Sequence, residues 1–408
     1  MAKLLRKGTK LEKIRTAIMA VDRRIKEEMG VRSHKLPIYQ TTTWEFTDPH
    51  QMEEAFAGRE LLDIYGPFSS PNNRALEAKL AILEEGEASQ LCASGHMAIL
   101  ATLILLSKPG QSIVAHKELY GGTHPILDFL RREGRVIRFV DMRNTDAFDD
   151  SLREDTAIIF FETPSNPSLH IIDIEQVTRR AKNFSEDLYV VVDGTFATPF
   201  NQRPLTLGAH VVIQSTTKYL DGHGINFGGA VIAKEEAIIS RLYPLLLCAP
   251  MAPYVAWQLS ESVLDFLQTM PLHNKNAWDL AYFLAENECV ERVHYPGLPS
   301  HHNHLTANQQ MIALDGGIPY GGMISFELKG TKREAELFVQ KLREHQSVIT
   351  HAVSLGNRDS LIEMPACGTH TGGEISDGLI RFSVGIESCV RLMTDIEDAL
   401  LAVFPVWV

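Results

Sequence analysis

The stretch LYVVVDGTFATPFNQRPLTLGAHVVIQSTTK, residues 188–218, decides the fold. Leu188–Val192 and His210–Ile213 are apolar, β-branched runs without polar alternation, as expected of strands covered on both faces. Each run ends in groups that carry chemistry. Asp193 follows the first directly, and Ser215, Thr216, Thr217 and Lys218 follow the second. In open α/β sheets ligands sit beyond the carboxyl ends of the strands, so these residues are candidates for a site.

Working outward, strand-like runs at Ser112–Ala115, Val136–Val140, Ala157–Phe161 and Gly229–Ala233 share the chain with helix-period segments. Those segments are Asn72–Glu85, Met97–Leu106, Pro125–Arg132 and Ile174–Asn183. The pattern predicts an α/β fold with a mostly parallel sheet covered by helices. After about Ser262 the register changes. A helical stretch runs to Asn287, Met323–Leu328 and Leu379–Val384 read as strands, and Lys332–Glu344 and Leu392–Val403 read as helices. A smaller C-terminal α+β domain is expected there. The expected division is 1–70, an arm with little apolar periodicity, then 71–262 and 263–408.

With 408 residues the chain is too long for one ordinary core and suits two domains. A net charge of −12 gives no general drive toward nucleic acid or anionic membrane. Five scattered cysteines without a C-x-x-C pair argue against a disulfide scaffold or zinc ribbon. No run approaches the roughly 20 apolar residues of a spanning helix. The N-terminal thirty residues lack an apolar core ending in a cleavage site, so a cytoplasmic protein is expected.

Two further signals join Asp193 and Lys218. The run AIIFFET leads to Pro164, Ser165 and Asn166, and Ser94-Gly95-His96 opens a nearly all-apolar helix. Small residues at a helix start expose N–H groups to an anion. Together these match pyridoxal phosphate. Its aldehyde requires a lysine amine, its ring nitrogen a carboxylate, and its phosphate hydroxyls and amides. Singly each feature is commonplace, since a lysine after a strand is usually solvated and an Asp there is usually a cap or turn former. Their joint appearance on successive strand ends carries the reading.

The sequence resembles the cysteine/methionine-metabolism family of pyridoxal-phosphate enzymes, which includes cystathionine γ-synthase, cystathionine γ-lyase and methionine γ-lyase. The matching stretches include PIYQTTT (37–43), NRALEAKLAILEEGEAS (73–89), ASG (93–95), ELYGGT (118–123) and ETPSNPSLHIIDI (162–174). They continue with VVVDGTFATPFNQRPLTLGA (190–209), STTKYLDGHG (215–224), YPGLPSH (295–301) and ISDGLIRFSVGIE (375–387). The resemblance implies a seven-stranded-type sheet of the fold type I, aspartate aminotransferase-like architecture. It also implies a homotetramer, a dimer of dimers, with the arm and Tyr65 reaching a neighbouring subunit.

The roles below are likewise what the resemblance implies. Lys218 bonds the cofactor covalently and shuttles protons, Asp193 pairs with the ring nitrogen, and Asn166 hydrogen-bonds the ring's phenolic oxygen. Tyr120 stacks on the ring and assists proton transfer. Ser215, Thr217 and the N–H groups of Gly95 and His96 cradle the phosphate. Arg381 grips the carboxylate of a small amino-acid substrate, in a pocket lined by Ser354 and Thr369.

Departures from the family pattern concern the phosphate and the substrate. Pro67 stands where an arginine usually reaches a neighbour's phosphate, and Arg59 is a nearby cation that could substitute. Gly194 stands where Asn is frequent. Gly122 stands where methionine γ-lyases carry a cysteine, which counts against strict methionine specialisation. Glu363 resembles a glutamate facing a substrate's distal amino group, and a carboxylate there favours a cationic far end such as that of cystathionine.

The expected reaction is γ-elimination from an L-homoserine-derived amino acid, giving 2-oxobutanoate and ammonia. A γ-replacement synthase using an O-acyl-homoserine and a thiol is the near alternative, with an aminotransferase or a non-catalytic binding protein further off. The cluster His301-His302-Asn303-His304 reads as a solvent-facing loop without a metal.

Overall fold

The computed structural model describes residues 8–60, 62–368 and 375–404. Seven strands form the large sheet: β1 Ala88–Cys92, β2 Ser112–His116, β3 Val136–Val140, β4 Thr156–Glu162, β5 Tyr189–Asp193, β6 Val211–Ser215 and β7 Gly229–Ala233. Their order is β1-β7-β6-β5-β4-β2-β3. β2 pairs parallel with β3 and β4, β4 with β5 and β5 with β6, whereas β7 runs antiparallel to both β6 and β1. The expected α/β class with a mostly parallel sheet is therefore the observed one. β1 is the strand the sequence did not announce. ASQLC is poor in β-formers, and it is extended because it pairs with β7 from Ala88↔Ala233 to Cys92↔Gly229.

Period-two packing explains why these strands are apolar throughout. Ile113, Ala115, Ile158, Phe160, Val191 and Ile213 enter one core under the helices Gly95–Leu106, Thr123–Arg132 and Glu236–Leu246. Their alternates Val114, Ile159, Phe161, Val190 and Val192 enter another under the helix Ile174–Phe184. Both faces are sealed, so polar groups are left for the strand ends.

The helix Lys10–Glu28, opened by a capping box of Thr9 and Glu12, buries Ile14, Ile18, Val21 and Ile25. That is a helical stripe within a segment whose periodicity is masked by the charged residues between. Lys79, fully buried, holds this helix to the body by donating to Asp22 at 2.9 Å and to the Ser260 hydroxyl at 2.7 Å. The helix Pro253–Glu286 spans 34 residues and crosses position 262 without a break. Its Leu259 and Phe266 belong to the first large core, and its Leu280 and Leu284 to the C-terminal one.

The second sheet comprises β8 Val290–His294, β9 Met323–Leu328, β10 Thr350–His351, β11 Leu361–Glu363 and β12 Leu379–Ser383, in the order β10-β11-β12-β9-β8. Ile324, Phe326, Ile380 and Phe382 pack beneath the helices Lys332–Glu344 and Cys389–Val403. The intervening residues, Ser325 and Arg381 among them, take the opposite face. Ser325 Oγ donates to the carbonyl of Pro167 at 2.6 Å, which joins this sheet to the loop after β4. Among the described residues no helix is long and apolar enough to cross a membrane.

Candidate active site

The site gathers at the carboxyl ends of β4, β5 and β6. Asp193 closes β5 and its Oδ1 accepts the N–H of Thr195 at 3.0 Å. Thr195 Oγ1 accepts the N–H of Ser215 at 2.9 Å, which fixes the end of β6 against the end of β5. Lys218 lies in the turn that follows, its N–H donating to the Ser215 carbonyl at 3.2 Å. Its Nζ donates to Ser354 Oγ at 2.8 Å. Burial, and then the nearby Arg381 guanidinium, lower the Lys218 pKa to about 8. Burial raises the Asp193 carboxyl, against the stabilising hydrogen bonds from Thr195.

The helix Gly95–Leu106 starts against this strand end. Ser94 caps it, accepting the N–H of Met97 at 3.1 Å. A Cβ at Gly95 would lie 3.0 Å from Ser215 Cβ, so glycine lets the helix start approach the strand end without displacing Ser215. Gly95, His96, Ser215 and Thr217 thereby line one cavity of about 350 Å³ together with Lys218 and Asp193. Thr217 Oγ1 accepts the N–H of Gly228 at 3.0 Å, and the buried Thr216 Oγ1 has no hydrogen-bond partner among the described residues.

Tyr120 also lines the cavity. Its ring lies 5.6 Å from that of His96 at a tilt of 52°, and burial raises its pKa. A Cβ on Gly122 would meet His96 Nε2 at 2.4 Å and Tyr120 Cε1 at 2.5 Å. The glycine is there because the imidazole and the phenol fill the space a side chain would take. At position 194, where the family often has Asn, a Cβ would lie 2.8 Å from Gln214 Nε2, so a side chain there requires the Gln214 amide to move.

Asn166 and Arg381 complete the cavity. Arg381, 3% exposed, donates through Nη1 to Asn166 Oδ1 at 3.1 Å and through Nη2 to the Ser354 carbonyl at 2.9 Å. Nη2 also pairs with Glu363 Oε1 at 2.7 Å, and Nε has no partner among the described residues. Three acceptors of the protein thus hold the guanidinium in place, and Nε and one N–H of Nη1 are the donors left over.

Two expected site residues do not line this cavity, and a third lies outside the described residues. Glu363 is buried and faces Arg381, its register partner across β11 and β12, so its charge is balanced inside the protein instead of meeting a substrate's distal ammonium. This corrects the reading of Glu363 as a substrate contact. Tyr65 is 45% exposed and bridges Thr43 away from the cavity of its own chain. Thr369 lies outside the described residues. Arg59 is engaged on the surface by Glu54 in a two-pronged pair. In the histidine loop, His301 is buried where a solvent-facing residue was expected, and its Nδ1 accepts the N–H of Asn303. His304 is tied to the Pro296 carbonyl and to Asn308. A wider cleft of about 850 Å³ next to this loop is lined by Asp141, Arg143, His170 and His294. Each of these four has an ion-pair partner.

Sequence reasoning passed over Glu162, Thr195 and Val353, all of which line the cavity, and marked Phe227 only as part of a stretch that departs from the family near the substrate entrance. Glu162 had a signal, being an ionisable residue that ends an otherwise apolar strand. Phe227 and Val353 sit in loops with no periodicity to mark them.

Residues 16–401 match the family described as Cys/Met metabolism PLP-dependent enzyme. The chain belongs to this family. It is 38% identical over 377 residues to the L-methionine gamma-lyase of Fusobacterium nucleatum subsp. polymorphum, covering 90% of this chain and 93% of that protein. It is 38% identical over 376 residues to the cystathionine beta-lyase of Lactococcus lactis subsp. cremoris, with 90% and 93% covered. The crystal structure of cystathionine gamma-lyase from Lactobacillus plantarum complexed with L-serine superposes with a TM-score of 0.83 at 32% identity, over 96% of this chain and 99% of that one. The protein is accordingly a pyridoxal-phosphate-dependent enzyme of the carbon–sulfur lyase type, on fold type I. Its residues fit the cofactor. A half-buried amine of lowered basicity, a half-buried carboxyl one strand away, and a helix start without a side chain beside two hydroxyls share a single cavity.

Proposed function

We propose that the protein cleaves the carbon–sulfur bond of an S-substituted L-homoserine by γ-elimination, consuming one water and yielding a thiol, 2-oxobutanoate and ammonia. Bound pyridoxal phosphate supplies the electron sink that acidifies the substrate's carbon framework. Lys218 holds the cofactor and, once released, takes the α-proton and then moves a β-proton; its lowered pKa keeps a working fraction neutral near pH 7. Asp193 faces the ring nitrogen, Asn166 the phenolic oxygen, and Tyr120 covers the ring. Gly95, His96, Ser215 and Thr217 receive the phosphate.

Arg381 meets the substrate carboxylate, with its Nε as the first available donor. The three acceptors already on the guanidinium keep it aimed, so little ordering cost falls on binding.

The observation that carries this reading is the cavity shared by Lys218, Asp193, Asn166 and Arg381. Elsewhere that cavity is lined by Ile99, Phe196, Phe227, Val353 and Leu355. With Glu363 neutralised by Arg381, this lining favours an uncharged thioether tail, methionine included, over a tail ending in an ammonium. The reading extends to a cytoplasmic assembly of two tight pairs in which the exposed Tyr65 serves a neighbour's phosphate.

The test is one panel with the purified holoenzyme: L-methionine, S-ethyl-homoserine, cystathionine and O-acetylhomoserine, each with and without added thiol. The expected result is 2-oxobutanoate, with a higher kcat/KM for the uncharged thioethers than for cystathionine. Pyruvate from cystathionine would replace the proposal with β-elimination, and thiol-dependent product alone would replace it with γ-replacement.

A further inference from the structure

Glu162 is a buried carboxyl that the proposed reaction does not use. It ends β4, is 6% exposed, and lines the cofactor cavity. It stands in register with Asp193 on the adjacent parallel strand, so a buried and a half-buried carboxyl lie side by side. Oε1 accepts the backbone N–H of Tyr120 at 2.8 Å, and the Thr123 hydroxyl lies 3.5 Å from the same atom.

We infer that Glu162 is a positioning residue that works as a neutral carboxylic acid, hanging Tyr120 over the ring by its backbone while leaving Asp193 as the single anion beneath the ring nitrogen. Two adjoining carboxylates cannot both be ionised cheaply, so one of them takes a proton. The surroundings say which. Asp193 has the Lys218 amine and the His96 ring nearby, both of which favour its charged form, and two hydrogen bonds from Thr195. Glu162 has the like charges of Asp193 and Glu118 near it, with the Tyr120 N–H and Thr123 hydroxyl as its hydrogen-bond partners. Arg381, the remaining cation of the cavity, is paired with Glu363. Burial and Asp193 hold the Glu162 carboxyl well above the ordinary carboxylate range.

Function follows from the charge count. A second anion beside Asp193 would repel electron density arriving on the ring, whereas a neutral acid keeps the hydrogen bond to Tyr120 without that cost. Tyr120 is reached through its main chain, so the ring stays free to stack.

The test compares Glu162→Gln with Glu162→Ala in the holoenzyme, using Asp193→Asn as the control for lost charge. The readouts are the dissociation constant for pyridoxal phosphate and the pH titration of its visible absorbance, neither of which depends on which amino acid is cleaved. Glu162→Gln keeps a neutral acceptor, so both are expected within about twofold and about 0.3 pH unit of wild type. Glu162→Ala is expected to lower kcat/KM about tenfold, with the absorbance midpoint less disturbed than in Asp193→Asn. A Glu162→Gln midpoint displaced by about one unit or more, or cofactor binding weakened about tenfold, would overturn the neutral-acid assignment. A Glu162→Ala enzyme with unaltered kinetics would overturn the positioning role.

Discussion

The two sheets place their chemistry by opposite rules. The large sheet is apolar on both faces, and its functional groups appear only where strands stop: Glu162, Asp193 and Ser215 are the last residues of β4, β5 and β6. The small sheet is apolar on one face, and its functional group sits in the middle of β12, where Arg381 is flanked by the core residues Ile380 and Phe382. A sheet with two dry faces has no interior position for a charge. A sheet with one wholly apolar face leaves every second residue of each strand to the other face, which here is also buried and can hold a paired charge such as Arg381. The proposed division of labour follows: strand ends of the large sheet do the bond chemistry, and the polar face of the small sheet binds the substrate's constant end.

Breaking that division should begin with the largest effect. Lys218→Ala is expected to lower kcat by at least about 10³-fold and to abolish the visible band of covalently held cofactor; turnover at the wild-type rate would sink the assignment. Asp193→Asn should weaken cofactor binding by roughly 10–100-fold, measured by equilibrium dialysis, because it removes the charge from one hydrogen bond. On the small sheet, Arg381→Lys retains a charge but not the fork. It should raise KM about 10–100-fold while kcat changes less. A fall confined to kcat would place Arg381 in the chemistry and dissolve the contrast.

Smaller effects sharpen it. Because the Lys218 pKa is lowered to about 8, the neutral amine grows as pH rises through that value. Capture of pyridoxal phosphate by the apoprotein, followed by stopped-flow absorbance, should therefore accelerate with a midpoint near 8 and level off above it. A midpoint near the ordinary 10.5 of lysine would mean that burial does not act on this amine. Ser325→Ala removes the bond from the small sheet to the Pro167 carbonyl, next to Asn166. A loss of about 1 kcal/mol there should raise KM roughly fivefold without altering the absorbance spectrum.

The same contrast explains what the sequence made legible. A polar residue that terminates an apolar run stands out, which is why Asp193, Lys218 and Asn166 could be named before any coordinates. Arg381 could be named only through the motif ISDGLIRFSVGIE, since a lone arginine within a strand has no distinguishing period. Glu363 was misassigned because its partner is a neighbour across β11 and β12, a pairing that spacing along the chain does not reveal. β1 escaped notice because ASQLC is made a strand by β7 and not by its own preferences. The N-terminal segment is helical in pattern, but the buried face of the helix at Lys10–Glu28 was hidden because its four buried residues are scattered among charges, one of which, Asp22, answers the buried Lys79.

The crowding of Gly122 by His96 has an evolutionary consequence. Positions 96, 120 and 122 share a single allotment of room beside the ring, so they are epistatic: a thiol or methyl acquired at 122 requires both the imidazole at 96 and the phenol at 120 to give way. Lineages or designers wishing to refashion this wall must move the two rings first, because a lone change at 122 meets both of them.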